Sequence, residues 1–194
     1  MILAVEDILS ESVARKLVNS IRPDITIRIV LGKKGRGYLQ NKALELNRSA
    51  SSTDIFLLAD LDNQQECPAV LISSWLASAP QGPRLLFRFA VTEIESWILA
   101  DREAFADFLR IPFEKLPQQT DTILQPKEMI VNLARKSRLK KMKTDLVPRL
   151  GGTASVGPLY NSIMSGFVSE HWDPERAKTS SASLFKAIDR LKAF

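Results

Sequence analysis

The sequence predicts an α/β protein built on a mostly parallel four-stranded sheet that is flanked by helices. Four short apolar runs, each bounded by turn-forming residues, alternate with stretches in which apolar side chains recur at helical spacing. Strands and helices that alternate in this way predict parallel strands joined by right-handed crossovers. The predicted strands are residues 2–5, 25–31, 55–59 and 85–91, and the predicted helices are residues 8–21, 38–47, 68–79 and 92–109.

The pattern changes after residue 110. Residues 111–125 contain two prolines and predict an irregular connector. Pro126 suits the first turn of a helix, which we expect to reach about residue 137, and two more helices are predicted at 159–170 and 183–193. The sequence therefore predicts an α/β domain over 1–110 and a helical extension over 111–194, packed together as one compact unit.

Composition restricts the class of protein. A chain of 194 residues is long enough for one domain with a substantial core. Its only cysteine, Cys67, excludes an internal disulfide framework and a zinc ribbon, and fits a reducing cytoplasm. Its only histidine, His171, excludes a multi-histidine metal site. No apolar run is long enough to cross a membrane, and the net charge of +5 suits a phosphate-rich partner.

Three carboxylates follow predicted strands. Glu6 ends the first strand, and Asp60 and Asp62 follow the third. Parallel strands place their carboxyl ends at one edge of a sheet, where ligands bind, so we expect these acids to meet there. The three carboxylates would repel each other unless a cation such as Mg²⁺ or Mn²⁺ compensates their charge. A metal centre of this kind supports phosphoryl displacement. Alternatively, Glu6 acts as a general acid or base, or the acids only cap helices and open a loop.

The same residues resemble the Toprim domain of topoisomerases, primases, a recombination-repair protein and the nucleases of the "overcoming lysogenization defect" type. The matching features are a glutamate ending strand one (Glu6), a second glutamate in the next helix (Glu11), and Asp60-x-Asp62 after strand three. The resemblance covers about residues 2–91. It implies a Rossmann-like fold with Mg²⁺-dependent phosphodiester chemistry at Glu6, Asp60 and Asp62.

Two positions depart from the Toprim pattern. Asp7 stands where the family usually has glycine, and Glu11 lies one residue further on than in the nuclease branch. These departures favour an alternative in which the domain is catalytically degenerate and binds nucleic acid or a partner protein, such as an ATPase.

The segment 93–103 resembles a stretch shared by bacterial Toprim-like proteins of unknown function that are suspected in defence systems. This resemblance implies that the helix after the fourth strand belongs to the same site. Glu93 is then a possible fourth metal ligand, because it opens that helix just beyond the end of a strand. We interpret Glu95 as the partner of Thr92 in a capping box.

Two basic segments are candidate contacts to a nucleic-acid backbone. The glycine loop 32–37 resembles a phosphate cradle whose amides face an anion, and the run 135–143 is the most basic part of the chain. A solvated turn and a solvated helix face are the alternatives. The candidate residues are Lys33, Lys34, Arg36, Lys127, Arg135, Arg138, Lys140 and Lys141.

The sequence thus predicts a Mg²⁺- or Mn²⁺-dependent nuclease or related phosphodiesterase, acting on DNA or RNA in defence or repair. The degenerate binding module is the second hypothesis. A third takes Asp60-Leu61-Asp62 as the metal motif of a nucleotide-sugar transferase, which would leave Glu6 without a role.

Overall fold

The sheet has four strands, all of them parallel, in the order β2-β1-β3-β4. This arrangement comes from a computed structural model that describes residues 1–62 and 64–194. Helices flank the sheet, so the predicted α/β fold class is confirmed. No helix in the described ranges is long and apolar enough to cross a membrane. The strands are β1 (Ile2–Val5), β2 (Ile29–Gly32), β3 (Ile55–Asp60) and β4 (Leu85–Ala90).

Ten α-helices occur in the described part of the chain. The first five follow or connect the strands, and the other five lie in the second part of the chain. They are α1 (Ile8–Ile21), α2 (Arg36–Ser49), α3 (Pro68–Trp75), α4 (Ile94–Ala100), α5 (Arg102–Leu109), α6 (Pro126–Arg135), α7 (Lys140–Leu146), α8 (Tyr160–Glu170), α9 (Pro174–Ala177) and α10 (Ala182–Lys192). Two short 3-10 turns, Phe113–Lys115 and Thr120–Thr122, interrupt the connector.

A hydrophobic cluster covers each face of the sheet. Because side chains alternate along a strand, Leu57 of β3 packs with α2 and α3, whereas Leu58 points to the other face. That second face carries α1, whose buried side chains repeat every fourth residue at Leu9, Val13 and Leu17. Helices α6, α8 and α10 belong to this same cluster. The apolar face of α1 is therefore shared between the sheet and the second part of the chain.

Several predicted boundaries are wrong, for local reasons. The second strand is shorter than predicted, since residues 25–28 lie outside β2. Helix α3 ends at Trp75, and Ala77 and Ser78 then adopt positive φ angles. The predicted helix 92–109 is two helices, because Asp101 has a non-helical ψ of 72° between α4 and α5.

The N-cap of α1 is Asp7. The carboxylate of Asp7 accepts a hydrogen bond from the amide of Ser10 at 2.7 Å, so one free amide of the first turn is satisfied. Ser10 itself is buried against the core. Asp7 thus fixes the point at which the chain turns away from the sheet edge, one residue after Glu6.

Candidate active site

Glu6 and Asp60 lie beside each other at the carboxyl edge of the sheet. Glu6 follows the last residue of β1, and Asp60 is the last residue of the neighbouring strand β3. The amide of Asp60 donates a hydrogen bond to Oε2 of Glu6 at 3.3 Å. Oδ1 of Asp60 is buried and has no hydrogen-bond partner among the described residues. The parallel pairing of β1 and β3 therefore brings these two predicted site residues together.

Both carboxyl groups bind a proton more readily than they do in water. Burial raises the pKa of Asp60 well above its usual value of 3.8, and the nearby carboxylates of Glu95 and Glu6 raise it further. Burial also raises the pKa of Glu6, although the hydrogen bond from the Asp60 amide acts in the opposite direction. A positive charge placed at this edge would stabilise both ionised groups.

Asp62 is paired with Arg36 and makes no hydrogen bond to either group of this pair in the described residues. Its φ of 61° is unusual for a residue other than glycine, and it turns the chain immediately after β3. Nη1 of Arg36 lies 2.7 Å from Oδ2 of Asp62, 2.7 Å from the carbonyl oxygen of Asp60 and 3.1 Å from that of Leu61. A single guanidinium thus neutralises Asp62 and fixes the end of β3.

The three predicted carboxylates do not form a ready-made cage for a metal. Within residues 1–62 and 64–194, no group of three or more histidine, cysteine, aspartate or glutamate residues is arranged to hold an ion. Asp62 is occupied by Arg36, which leaves Glu6 and Asp60 as neighbouring carboxylates. A pair of this kind suits Mg²⁺, which is usually bound by one or two carboxylates together with waters and substrate phosphates.

Glu93 caps a helix that is distant in sequence. Its Oε2 accepts a hydrogen bond from the amide of Lys127 at 3.1 Å, and its Oε1 lies 3.5 Å from Nζ of the same residue. Lys127 is in the first turn of α6, where the amides lack helical partners. Glu93 therefore ties the start of α4 to the start of α6.

The predicted capping box of Thr92 and Glu95 is wrong. The N-cap of α4 is Glu93, whose side chain makes no capping hydrogen bond to that helix in the described residues. The hydroxyl of Thr92 instead lies within hydrogen-bond distance of the carbonyl oxygens of Val91 and Ile123, at 2.9 and 3.0 Å. The carboxylate of Glu95 is consequently free to turn into the protein.

Glu95 is a buried carboxylate beside the site, with only 1% of its surface exposed. Its Oε1 accepts a hydrogen bond from the hydroxyl of Tyr160 at 3.2 Å and lies 3.5 Å from Nζ of Lys127. Its Oε2 has no hydrogen-bond partner in the described part of the chain. Burial raises the pKa of Glu95 to about 7, although the charge of Lys127 opposes this shift. Sequence reasoning missed this group, because Tyr160 lies 65 residues away and nothing local marks it.

We expect this buried carboxyl group to make stability depend on pH. The pKa of Glu95 in the folded protein is about 7, above the usual 4.5. The favourable contribution of this group to the free energy of unfolding is therefore complete below pH 4.5 and is lost as the pH rises through 7. Between pH 5 and 8, the wild type should lose about 2–3 kcal/mol of unfolding free energy relative to Glu95→Gln. Urea unfolding with EDTA at both pH values measures this difference. The exposed control Glu114→Gln should show no such pH-dependent difference.

Two amides of the glycine loop are not available to an anion. The amide of Lys33 donates to the carbonyl of Val5 at 3.0 Å, and the amide of Gly35 donates to that of Glu6 at 3.1 Å. Gly32 has a φ of 103°, and a Cβ atom there would lie 1.9 Å from the carbonyl oxygen of Val5. The loop therefore holds the end of β1, and the predicted phosphate cradle is not formed by these two amides.

The predicted nucleic-acid contacts divide into paired and unpaired groups. Nζ of Lys33 lies 3.1 Å from Oε2 of Glu11. Arg36 and Lys127 pair with the acids of the site. Lys34 lies over the ring of Tyr38. In the residues that the structure describes, four others have no carboxylate within 4.0 Å. These four are Arg135, Arg138, Lys140 and Lys141.

A cavity of about 580 Å³ lies between Asp62 and Glu93 and the beginning of this basic segment, and its lining among the described residues does not include Glu6 or Asp60. Its lining includes Asp62 and Glu93 on one side, and Lys127 and Arg135 of α6 on the other. Four of the predicted site residues, from two distant parts of the sequence, thus line one groove.

Comparisons of the chain with models of protein families, with curated proteins and with solved structures found no match.

Proposed function

We propose that this protein hydrolyses phosphodiester bonds of nucleic acid with a Mg²⁺ or Mn²⁺ ion held by Glu6 and Asp60. The observation that carries the proposal is the buried Oδ1 of Asp60, which has no partner among the described residues and lies beside a second carboxylate. An unpaired carboxylate oxygen in a protein interior is costly unless a cation compensates it. The oxygen donors of this pair fit a hard divalent ion.

The remaining residues would position the substrate. When bound, the metal ion supplies positive charge for the phosphoryl group and lowers the pKa of a water molecule. Lys127 extends into the groove beside Glu93 and Glu95, where its ammonium group can contact a phosphate. Arg135 and the unpaired basic residues that follow it would hold the backbone of the strand. Arg36 keeps Asp62 and the end of β3 in place.

Purified protein should cleave nucleic acid when Mg²⁺ or Mn²⁺ is present, and EDTA should stop the reaction. Glu6→Gln should reduce cleavage at least about tenfold, because loss of a residue that only hydrogen-bonds to a metal ligand often costs that much, and Glu6 is a proposed direct ligand. It should also remove the rise in melting temperature that Mn²⁺ alone produces.

Glu11→Gln is the matched control, since Glu11 is an ion-paired glutamate of the adjacent helix that lies outside the pair. This variant should retain both cleavage and the Mn²⁺ response. Cleavage that is unchanged in Glu6→Gln would contradict the proposal.

The internal ion pairs of the site favour a second candidate function. Arg36 neutralises Asp62, and Lys127 lies between Glu93 and Glu95, so three of the acidic groups already have cationic partners. A catalytically inactive module that binds nucleic acid or a partner protein would need no metal. Such a module would bind nucleic acid in a salt-sensitive manner, without turnover and without stabilisation by Mn²⁺.

A further inference from the structure

A second polar cavity lies far from the carboxylate edge, between β4 and α10. It has a volume of about 390 Å³, and its lining includes Arg88 of β4 and Arg190 of α10. Leu85, Leu86 and Ala193 contribute apolar walls. Arg88 is on the edge strand of the sheet, where its side chain points to the same face as Leu86 and approaches α10.

The two arginines have no acidic partner. No carboxylate of the described residues lies within 4.0 Å of either guanidinium. Arg88 uses Nη1 to donate to the carbonyl of Phe87 at 3.1 Å, but its buried Nε has no acceptor in the described chain. Burial and the nearby charge of Arg190 lower the pKa of Arg88. Arg88 is partly buried and Arg190 is exposed, and two like charges close together destabilise each other unless an anion joins them.

The charges and the shape of the cavity define the class of ligand. Two guanidinium groups provide a charge of about +2, which complements a phosphate monoester carrying about −1.5 to −2 at neutral pH. Guanidinium groups also match phosphate oxygens with paired hydrogen bonds. The apolar walls leave room for the organic part of a small monoester.

We propose that Arg88 and Arg190 form a binding site for a small phosphate monoester, separate from the carboxylate edge. This site does not depend on the proposed nuclease activity, because it shares no residue with the groove beside Lys127.

The test measures the melting temperature of the full chain in glycerol 3-phosphate, in inorganic phosphate, and in sodium chloride of equal ionic strength. At a concentration of about ten times Kd, glycerol 3-phosphate should raise the melting temperature by about 3–6 °C. In Arg190→Glu this ligand-induced shift should be lost. Without ligand, the same variant should be as stable as the wild type or more stable, because the new carboxylate gives Arg88 an acidic partner.

Arg48→Glu is the matched control, because Arg48 is also an exposed arginine in the last turn of its helix, with no ion pair in the described residues. This variant should keep the ligand-induced shift and should be slightly less stable than the wild type without ligand.

The two phosphate ligands identify what the site recognises. A larger shift in melting temperature with glycerol 3-phosphate than with inorganic phosphate identifies the monoester. Equal shifts identify the phosphate group itself as the recognised unit. No shift beyond that in chloride, or an equal shift in Arg190→Glu, overturns the proposal.

Discussion

Asp60→Asn is expected to abolish metal-dependent cleavage and, at the same time, to make the folded chain more stable. The substitution removes a proposed metal ligand. We expect cleavage to fall at least about a hundredfold, which is the upper end of the loss seen when only a hydrogen-bond partner of a metal ligand is removed. The carboxylate of Asp60 is buried and lacks a complete set of partners in the described residues. The substitution replaces it with a neutral side chain of similar shape. Loss of function with a gain in stability distinguishes a functional charge from a structural one.

The stability gain should depend on pH in a defined direction. The folded pKa of Asp60 lies well above 3.8, so ionisation of this group opposes folding as the pH rises above that value. The advantage of Asp60→Asn over the wild type should therefore be small near pH 4 and should grow toward pH 8. Urea unfolding with EDTA measures it without any contribution from a bound ion.

Asp62→Asn is the informative comparison for Asp60→Asn. Asp62 is 55% exposed at its side chain and pairs with Arg36, so the structure places it outside the pair formed by Glu6 and Asp60. We expect this variant to lose distinctly less cleavage than Asp60→Asn. An equal loss in the two variants would instead favour the three-carboxylate centre that the sequence alone predicts.

Arg176→Met is expected to give the largest loss of stability. Nε and Nη2 of Arg176 donate to the two carboxylate oxygens of Asp101 at 3.0 and 2.8 Å, and the side chain of Asp101 is only 1% exposed. Removing one partner of a buried ion pair leaves an uncompensated charge and typically costs 3–5 kcal/mol. Because Arg176 is 46% exposed, we expect about 3 kcal/mol, or a fall of about 6–12 °C in the melting temperature.

Lys178→Met provides the control for Arg176→Met. Lys178 also pairs with an acidic side chain close by, but Glu175 is 45% exposed, and surface pairs of this kind contribute at most about 1 kcal/mol. Its melting temperature should fall by no more than about 4 °C. Equal effects of the two variants would show that the Asp101 pair does not stabilise the fold more than a surface pair does.

Local patterns allowed the sheet and its first helix to be predicted from the sequence. Strand β1 and helix α1 have the predicted bounds, because a short continuous apolar run ends just before Asp7 and apolar residues then recur at helical spacing. The juxtaposition of Glu6 and Asp60 follows from the parallel pairing of β1 with β3, which the strand order implies. These features depend on short-range periodicity and on one general property of parallel sheets.

Contacts between distant segments could not be predicted in the same way. The break at Asp101 accompanies its ion pair with Arg176, 75 residues further along the chain. The burial of Glu95 depends on Tyr160 and Lys127, and the orientation of Asp62 depends on Arg36. In each case the sequence shows an acid, but only the tertiary structure shows which cation or hydroxyl group satisfies it.

The packing of α1 has a consequence for the order in which the protein can be completed on the ribosome. Nζ of Lys16 in α1 donates to the carbonyl of Ser169 in α8 at 2.8 Å, a contact that spans 153 residues. Until α8 has been synthesised, the apolar stripe of α1 lacks part of the surface that buries it, and exposed surfaces of this kind promote aggregation. We therefore expect this stripe of the nascent chain to stay partly exposed until α8 has been synthesised.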